Sequence, residues 1–100
     1  MKILLTKSNC EKCEYVKNTY DISDFIVFNL DDPLDAYNKY GIVTASRIVE
    51  EICKADGWLY AVRKLPILIE NCKVLDADQP SALKVARKYL RRKNAKGFNN

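Results

Sequence analysis

Histidine is absent from this chain of 100 residues, and glycine and proline are scarce, with three of each. Without histidine the protein has no Cys–His nucleophile pair, no histidine general base and no histidine metal ligand. The low glycine and proline content and the 48% of hydrophobic residues are typical of a globular chain. No apolar run approaches the roughly 20 residues that a membrane-spanning helix needs. The length and composition therefore predict one small globular domain.

A secretory signal pattern is also missing from the N-terminus. An apolar run begins at Ile3, without a preceding basic region or a following small-residue cleavage site. We therefore expect a soluble, cytoplasmic protein with no membrane partner. In that compartment the four cysteines indicate catalytic, metal-binding or inert thiols rather than a structural disulfide framework.

The excess of positive over negative charge lies in the C-terminal segment of the chain. The net charge is +4, and residues 79–100 contain seven lysines and arginines and no acid, so residues 1–78 have a net charge of −3. Cations on the outward face of a terminal helix are usually solvated, and near its C-terminus they complement the helix dipole. We therefore do not expect this segment to bind nucleic acid.

The first half of the chain predicts a strand–helix–strand unit followed by a broken helix. Residues 2–6 predict a buried strand and residues 11–20 a helix. Residues 25–30 are β-formers without alternation, which predicts a central strand covered on both faces. The crossover is long enough for these two strands to be parallel. A helix is then expected to start at Pro33 and stop at Gly41.

The second half predicts another helix, a hairpin and a terminal helix. Thr44 is expected to cap a helix that ends at Gly57, and residues 58–64 fit either more helix or a packed loop. Residues 65–70 and 73–76 predict two strands joined by a turn. The last helix is expected to open at Pro80 and Ser81 and to direct Leu83, Ala86 and Leu90 to the core.

These elements predict an α/β domain over residues 1–93, with a four-stranded mixed sheet flanked by helices and the order β-α-β-α-β-β-α. Residues 94–100 predict a flexible tail.

The motif with the clearest chemistry is the C-x-x-C of Cys10 and Cys13, between the first strand and the first helix. Unpaired N–H groups and the dipole at a helix start favour negative charge. A Cys10 thiolate should therefore form more readily than that of a free cysteine, whose pKa is about 8.5. Lys7 and Lys12 add nearby positive charge. On one helical turn Cys13 can reach back to Cys10, so we interpret Cys10 as the attacking thiol and Cys13 as the resolving thiol.

The order of elements, with C-x-x-C after the first strand and a proline opening the third, resembles the thioredoxin fold. The segment from Thr6 to Lys17 is similar to the active-site segment of glutaredoxins, where a lysine stands three positions before the first cysteine, as Lys7 does here. The Leu65-Pro66 segment is similar to the place where that family keeps a cis-proline facing the disulfide.

The resemblance implies a glutaredoxin-like thiol–disulfide oxidoreductase that reduces or exchanges disulfides of protein substrates. Glutathione or a reductase protein would supply the electrons. Cys10 and Cys13 would be catalytic. The substrate-binding residues would be Lys7, Leu65, Pro66 and Asp78. We expect a monomer without a bound metal or cofactor.

Three departures from the glutaredoxin pattern bear more on the binding of glutathione than on the chemistry of the two cysteines. Glu11 and Lys12 replace the usual proline and aromatic between the cysteines, and Leu65 replaces a common valine. The sequence Asp76-Ala77-Asp78 replaces the Gly-Gly turn that helps to hold glutathione.

Two other classes of function stay open at the level of sequence. One is a thioredoxin-fold binding module without turnover. The other is a metal protein, with zinc held by all four cysteines or an iron–sulfur cluster shared between two chains through Cys10. The spacing to Cys53 and Cys72 lacks the second close pair typical of structural zinc sites. We expect Cys53 to pack inertly in the core and Cys72, at the hairpin turn, to be more exposed.

Overall fold

A four-stranded mixed sheet with helices on both faces forms the centre of the computed structural model, which describes residues 1–93. The predicted tail over residues 94–100 lies outside the described residues. The elements in chain order are β1 (Lys2–Thr6), α1 (Glu11–Thr19), β2 (Ile26–Asn29), α2 (Pro33–Lys54), α3 (Gly57–Ala61), β3 (Ile67–Glu70), β4 (Lys73–Val74) and α4 (Ala82–Tyr89).

The strands lie in the order β2-β1-β3-β4. The prediction that β1 and β2 are parallel is confirmed, with Ile3 opposite Ile26. β1 is antiparallel to β3, and β3 is antiparallel to β4. The prediction of a central position for residues 25–30 is wrong, because β2 forms an edge of the sheet. The crossover through α1 places β2 beside β1, and β3 then takes the other side of β1, so β1 and β3 are the central strands.

Alternation along β1 divides the core between the two faces of the sheet. Ile3 and Leu5 pack with Ile48, Ile52 and other residues beneath α2 and α3. Leu4 points to the opposite face and packs with residues of α1 and α4, among them Val16 and Val85. The C-x-x-C motif follows this buried strand after a short loop over residues 7–9, so the two cysteines are attached closely to the core of the sheet.

Gly41 interrupts α2, as the sequence predicts. Its backbone has φ 86° and ψ 167°, a conformation that is essentially restricted to glycine. The helix resumes at once, so the predicted start at Thr44 is too late. One residue absorbs the whole change of direction, and no loop separates the two helical parts. None of the helices within residues 1–93 is long and apolar enough to cross a membrane.

Gly57 has a different role from the helix stop that the sequence predicts. α2 ends at Lys54, and the left-handed residue after it is Asp56, with φ 57°. Gly57 is buried and begins α3, where an added Cβ would lie 2.9 Å from Cγ2 of Ile52. Close packing against Ile52 therefore requires glycine at position 57. The ambiguous stretch 58–64 is resolved as the remainder of α3 followed by a turn.

The predicted hairpin is confirmed, but both of its strands are shorter than expected. β3 begins at Ile67 because Pro66 has no N–H to add to the ladder. β4 ends at Val74, and Asp76 then takes a left-handed conformation with φ 50°. The turn residues Asn71 and Cys72 both have positive φ, which fits the turn geometry that two-residue hairpin loops prefer.

α4 begins as predicted, since the Ser81 hydroxyl accepts the N–H of Leu83 at 3.2 Å. Ala86 and Leu90 are buried as expected. Leu83 is only partly buried, and Val85 takes the core position instead. The basic side chains of residues 84–93 are exposed, as the sequence predicts.

Candidate dithiol site

Cys10 and Cys13 are joined in a disulfide at the start of α1, with their Cα atoms 5.2 Å apart. Cys10 is the N-cap residue of α1 and has an extended backbone, whereas Cys13 lies in the first helical turn. The junction between a buried strand and a helix therefore brings the two sulfurs together, as the spacing of the motif predicts.

The two cysteines differ in their access to solvent. Cys13 is fully buried, at 0% exposure, and Cys10 is partly exposed. A large substrate can therefore reach only the Cys10 sulfur. The backbone N–H of Cys13 donates a hydrogen bond to Cys10 Sγ at 3.1 Å. In the reduced protein the same N–H would stabilise a thiolate on Cys10, together with the dipole of α1.

The loop before Cys10 is held to the end of β2 by polar contacts. The backbone N–H of Ser8 donates to Asp31 Oδ2 at 3.0 Å, and Asn29 Nδ2 donates to Ser8 Oγ at 3.2 Å. Asn9 then turns the chain with φ 55°, a left-handed conformation that asparagine tolerates. These contacts fix the direction from which the chain enters α1, and so position Cys10.

A groove of about 340 Å³ lies on one side of Cys10. It runs between the start of α1 and the turn that joins α3 to β3. Its lining consists of Lys7, Cys10, Glu11, Lys12, Ala61, Val62, Arg63, Lys64 and Leu65. Four of these nine side chains are cationic and one is anionic, so the groove beside the dithiol is strongly positive.

The predicted substrate-binding residues fall partly in this groove. Lys7 and Leu65 line it together with Cys10. The Leu65–Pro66 peptide bond is cis, as the resemblance implies, and Pro66 is buried directly before β3. Asp78 is exposed and does not line the groove. It lies in an adjoining groove of about 260 Å³ that shares Arg63 and Lys64 with the first.

The opposite side of Cys10 has a different character. A shallow depression there is lined by Asn9, Cys10, Glu11, Glu14 and Tyr15. Tyr15 is 45% exposed and lines this depression together with Cys10. The surface around Cys10 is thus basic on the α3 side and acidic and aromatic on the α1 side.

The two remaining cysteines lie away from the dithiol groove. The expectation that Cys53 packs in the core is wrong, because α2 directs it to solvent, where its Sγ accepts the indole N–H of Trp58 at 3.1 Å. Cys72 is partly exposed at the hairpin turn. Residues 1–93 contain no group of three or more cysteine, aspartate or glutamate side chains arranged to hold a metal ion.

Several cations of the basic C-terminal segment make contacts within the protein. Lys88 forms an ion pair with Asp76 at 2.8 Å, and the hydrogen bond to that carboxylate raises the pKa of the Lys88 ammonium. Lys93 Nζ donates to the carbonyl of Lys17 at 2.7 Å, at the C-terminal end of α1. The guanidinium of Arg92 lies over the ring of Tyr20. The Lys88 pair joins α4 to the segment after β4, and the contacts of Arg92 and Lys93 join the residues after α4 to the C-terminal end of α1.

Sequence reasoning missed the groove residues contributed by the segment after α3. Val62, Arg63 and Lys64 belong to the stretch that fitted helix or loop equally well. Their position directly before Leu65-Pro66 was the available signal, because that segment was already expected to face the dithiol.

Comparisons with protein-family models, with curated proteins and with solved structures found no match to this chain. The arrangement of the site is therefore interpreted from its own geometry and from the motif that it contains.

Proposed function

We propose that this protein is a glutaredoxin-like thiol–disulfide oxidoreductase with a thioredoxin-like fold. The observation that carries the proposal is the unequal exposure of a closed Cys10–Cys13 pair at a helix N-terminus. A partly exposed cysteine at the cap and a buried partner one turn later are the arrangement that a two-step exchange needs. The cationic groove and the cis-proline segment beside the pair also fit this chemistry.

The proposed reaction begins with the reduced protein. The Cys10 thiolate attacks one sulfur of a substrate disulfide, so that the substrate S–S bond breaks and a mixed disulfide with Cys10 forms. The first substrate thiolate leaves and takes a proton from solvent. Cys13 then loses its proton and attacks Cys10 Sγ, which releases the second substrate thiolate. The substrate gains two electrons, and the protein is left as the Cys10–Cys13 disulfide. A thiol reductant, glutathione or a reductase protein, returns the pair to the dithiol.

The surroundings of the pair support this division of roles. The N–H of Cys13 and the dipole of α1 act on Cys10, and they stabilise the thiolate both as nucleophile and as leaving group. Lys7 and Lys12 favour the same charge, whereas Glu11 opposes it. Cys13 is buried and is therefore shielded from the substrate disulfide, whereas Cys10 Sγ lies within bonding reach of it.

The proposal is tested by equilibrating the protein with glutathione buffers of graded potential and alkylating the free thiols. Mass spectrometry then counts the alkylated cysteines. We expect one two-electron transition that involves Cys10 and Cys13 together, at a potential between about −270 and −120 mV, the range of thioredoxin-fold dithiols.

The control in this titration is the behaviour of Cys53 and Cys72, which should not follow the same transition. A Cys10–Cys13 pair that stays reduced at every potential would contradict the proposal. That outcome would favour a binding module without turnover.

A further inference from the structure

The basic side chains of the dithiol groove are not neutralised within the described part of the protein. Between residues 1 and 93, ion pairs engage lysines and arginines on α1, α2 and α4. None of them involves Lys7, Lys12, Arg63 or Lys64. Lys64 Nζ donates only to the carbonyl of Ala77, at 3.4 Å. Four cations thus line one groove with Glu11 as its single acid.

An exposed apolar side chain lies among these cations. Val62 is 83% exposed and lines the groove, and Leu59, one turn earlier, is 71% exposed. A valine so accessible beside charged residues offers a contact for an apolar side chain of a partner. The adjoining groove, which shares Arg63 and Lys64 and extends to Pro80, lengthens this surface. Its extent suits a polypeptide segment.

The charges around Cys10 are also distributed asymmetrically, with different signs on its two sides. The α3 side presents Lys12 and Arg63, the α1 side presents Glu14, and Glu11 lies between them and lines both. A segment that carries carboxylates on one side of its cysteine would therefore be attracted in only one orientation. Electrostatic complementarity of this kind raises association rates and selects among partners.

From this groove we infer the substrate class: a protein disulfide whose reactive cysteine is flanked by aspartate or glutamate, with an apolar residue beside them. The inference rests on the proposed oxidoreductase function. The acidic side chains lie against the basic groove on the α3 side, and the apolar residue contacts Val62. The Cys10 thiolate then attacks the substrate sulfur, and the reduced protein itself supplies both electrons in a single turnover.

The test compares two disulfide-linked peptides that differ only in the residues flanking cysteine, which are two aspartates in one and two lysines in the other. Fully reduced protein is mixed with each peptide, and the rate of a single turnover is measured. Each rate is divided by the rate with dithiothreitol, whose reacting form carries only the charge of its thiolate, and this corrects for the intrinsic reactivity of the peptides toward a thiolate. At low ionic strength we expect the corrected rate to be at least about ten-fold higher for the acidic peptide. In about 1 M salt, where the Debye length is about 3 Å, the ratio should fall to about two or less.

Two charge reversals localise the effect. Arg63→Glu should lower the acidic-to-basic ratio by at least about three-fold, because it replaces a groove cation with an anion. Lys84→Glu makes the same change of charge at an exposed position of α4 outside the groove, and it should leave the ratio within about two-fold of the unchanged protein.

The neutral disulfide bis(2-hydroxyethyl) disulfide separates failure of this inference from failure of the proposed function. If the protein reduces the neutral disulfide but shows equal corrected rates for the two peptides, the inference is overturned and the oxidoreductase proposal stands. Equal loss of selectivity in Arg63→Glu and Lys84→Glu would also overturn it. If none of the three disulfides is reduced faster than by free cysteine, both proposals fall.

Discussion

Cys10→Ser is expected to lower the rate of disulfide reduction by at least about a thousand-fold. A serine hydroxyl is not ionised near neutral pH and cannot form the mixed disulfide, and the buried Cys13 cannot replace it as the attacking group. The measurement is the single-turnover reduction of bis(2-hydroxyethyl) disulfide. Circular dichroism of the variant checks that the fold is retained, since the exchange of a partly exposed sulfur for oxygen is small.

Cys13→Ser is the matched variant and should fail at a different step. Its Cys10 can still attack, but no second thiol resolves the product, so a mixed disulfide accumulates. Mass spectrometry under non-reducing conditions should show one substrate thiol attached to Cys10 in this variant and none in Cys10→Ser. Equal activity of Cys10→Ser and the unchanged protein would contradict the role given to Cys10. A mixed disulfide on Cys53 or Cys72 instead would show that the attacking thiol is not Cys10.

Gly57→Ala is expected to destabilise the protein by about 1–3 kcal/mol, because the new methyl group enters a packed core. Its Cβ would lie 2.9 Å from Cγ2 of Ile52 and 3.0 Å from Cδ1 of Ile69, and both isoleucines are completely buried. Gly57 also begins α3, which leads to the groove residues Ala61 and Val62. For a domain of this size each kcal/mol lowers the melting temperature by roughly 4–8 °C. Thermal and urea unfolding measure the loss.

A double-mutant cycle identifies the cause of this loss. Ile69→Val removes the Cδ1 atom that the new Cβ would approach. Gly57→Ala should therefore lower the free energy of unfolding by less when Ile69→Val is also present. The expected coupling energy between the two substitutions is at least about 0.5 kcal/mol. Gly41→Ala is the control, because its Cβ would meet no atom within 4 Å and its cost comes from a positive φ. Its effect should be additive with Ile69→Val. Additivity at Gly57 as well would contradict the packing explanation.

The sequence predicts the order of elements and the dithiol because both depend on local features. Continuous apolar runs indicate the strands, and the cap at Cys10 and the glycine at position 41 determine helix boundaries. The C-x-x-C spacing depends on one helical turn, so Cys10 and Cys13 could be placed without knowledge of the rest of the fold. The same is true of the Asn71-Cys72 turn.

The features that the sequence did not predict depend on tertiary packing. The edge position of β2 is decided by which strand pairs with the far side of β1, and no local pattern encodes that choice. Cys53 lies in an apolar stretch, but the rotation of α2 about its axis directs its thiol to solvent. Arg63 and Lys64 approach Cys10 only because the turn after α3 packs beside the start of α1. Asp78 lies in the adjoining groove and not beside Cys10, and this position also depends on tertiary packing.

The most direct test of the account is the alkylation rate of each cysteine in the fully reduced protein as a function of pH. Quenched samples are digested and analysed by mass spectrometry, so that Cys10 is compared with the exposed Cys53 in the same molecule. The account predicts that Cys10 is alkylated fastest. Its alkylation rate should rise with the formation of a thiolate at a pH well below about 8.5, the ordinary cysteine pKa. A Cys10 that reacts no faster than Cys53 at any pH would contradict the assignment of Cys10 as the attacking thiol.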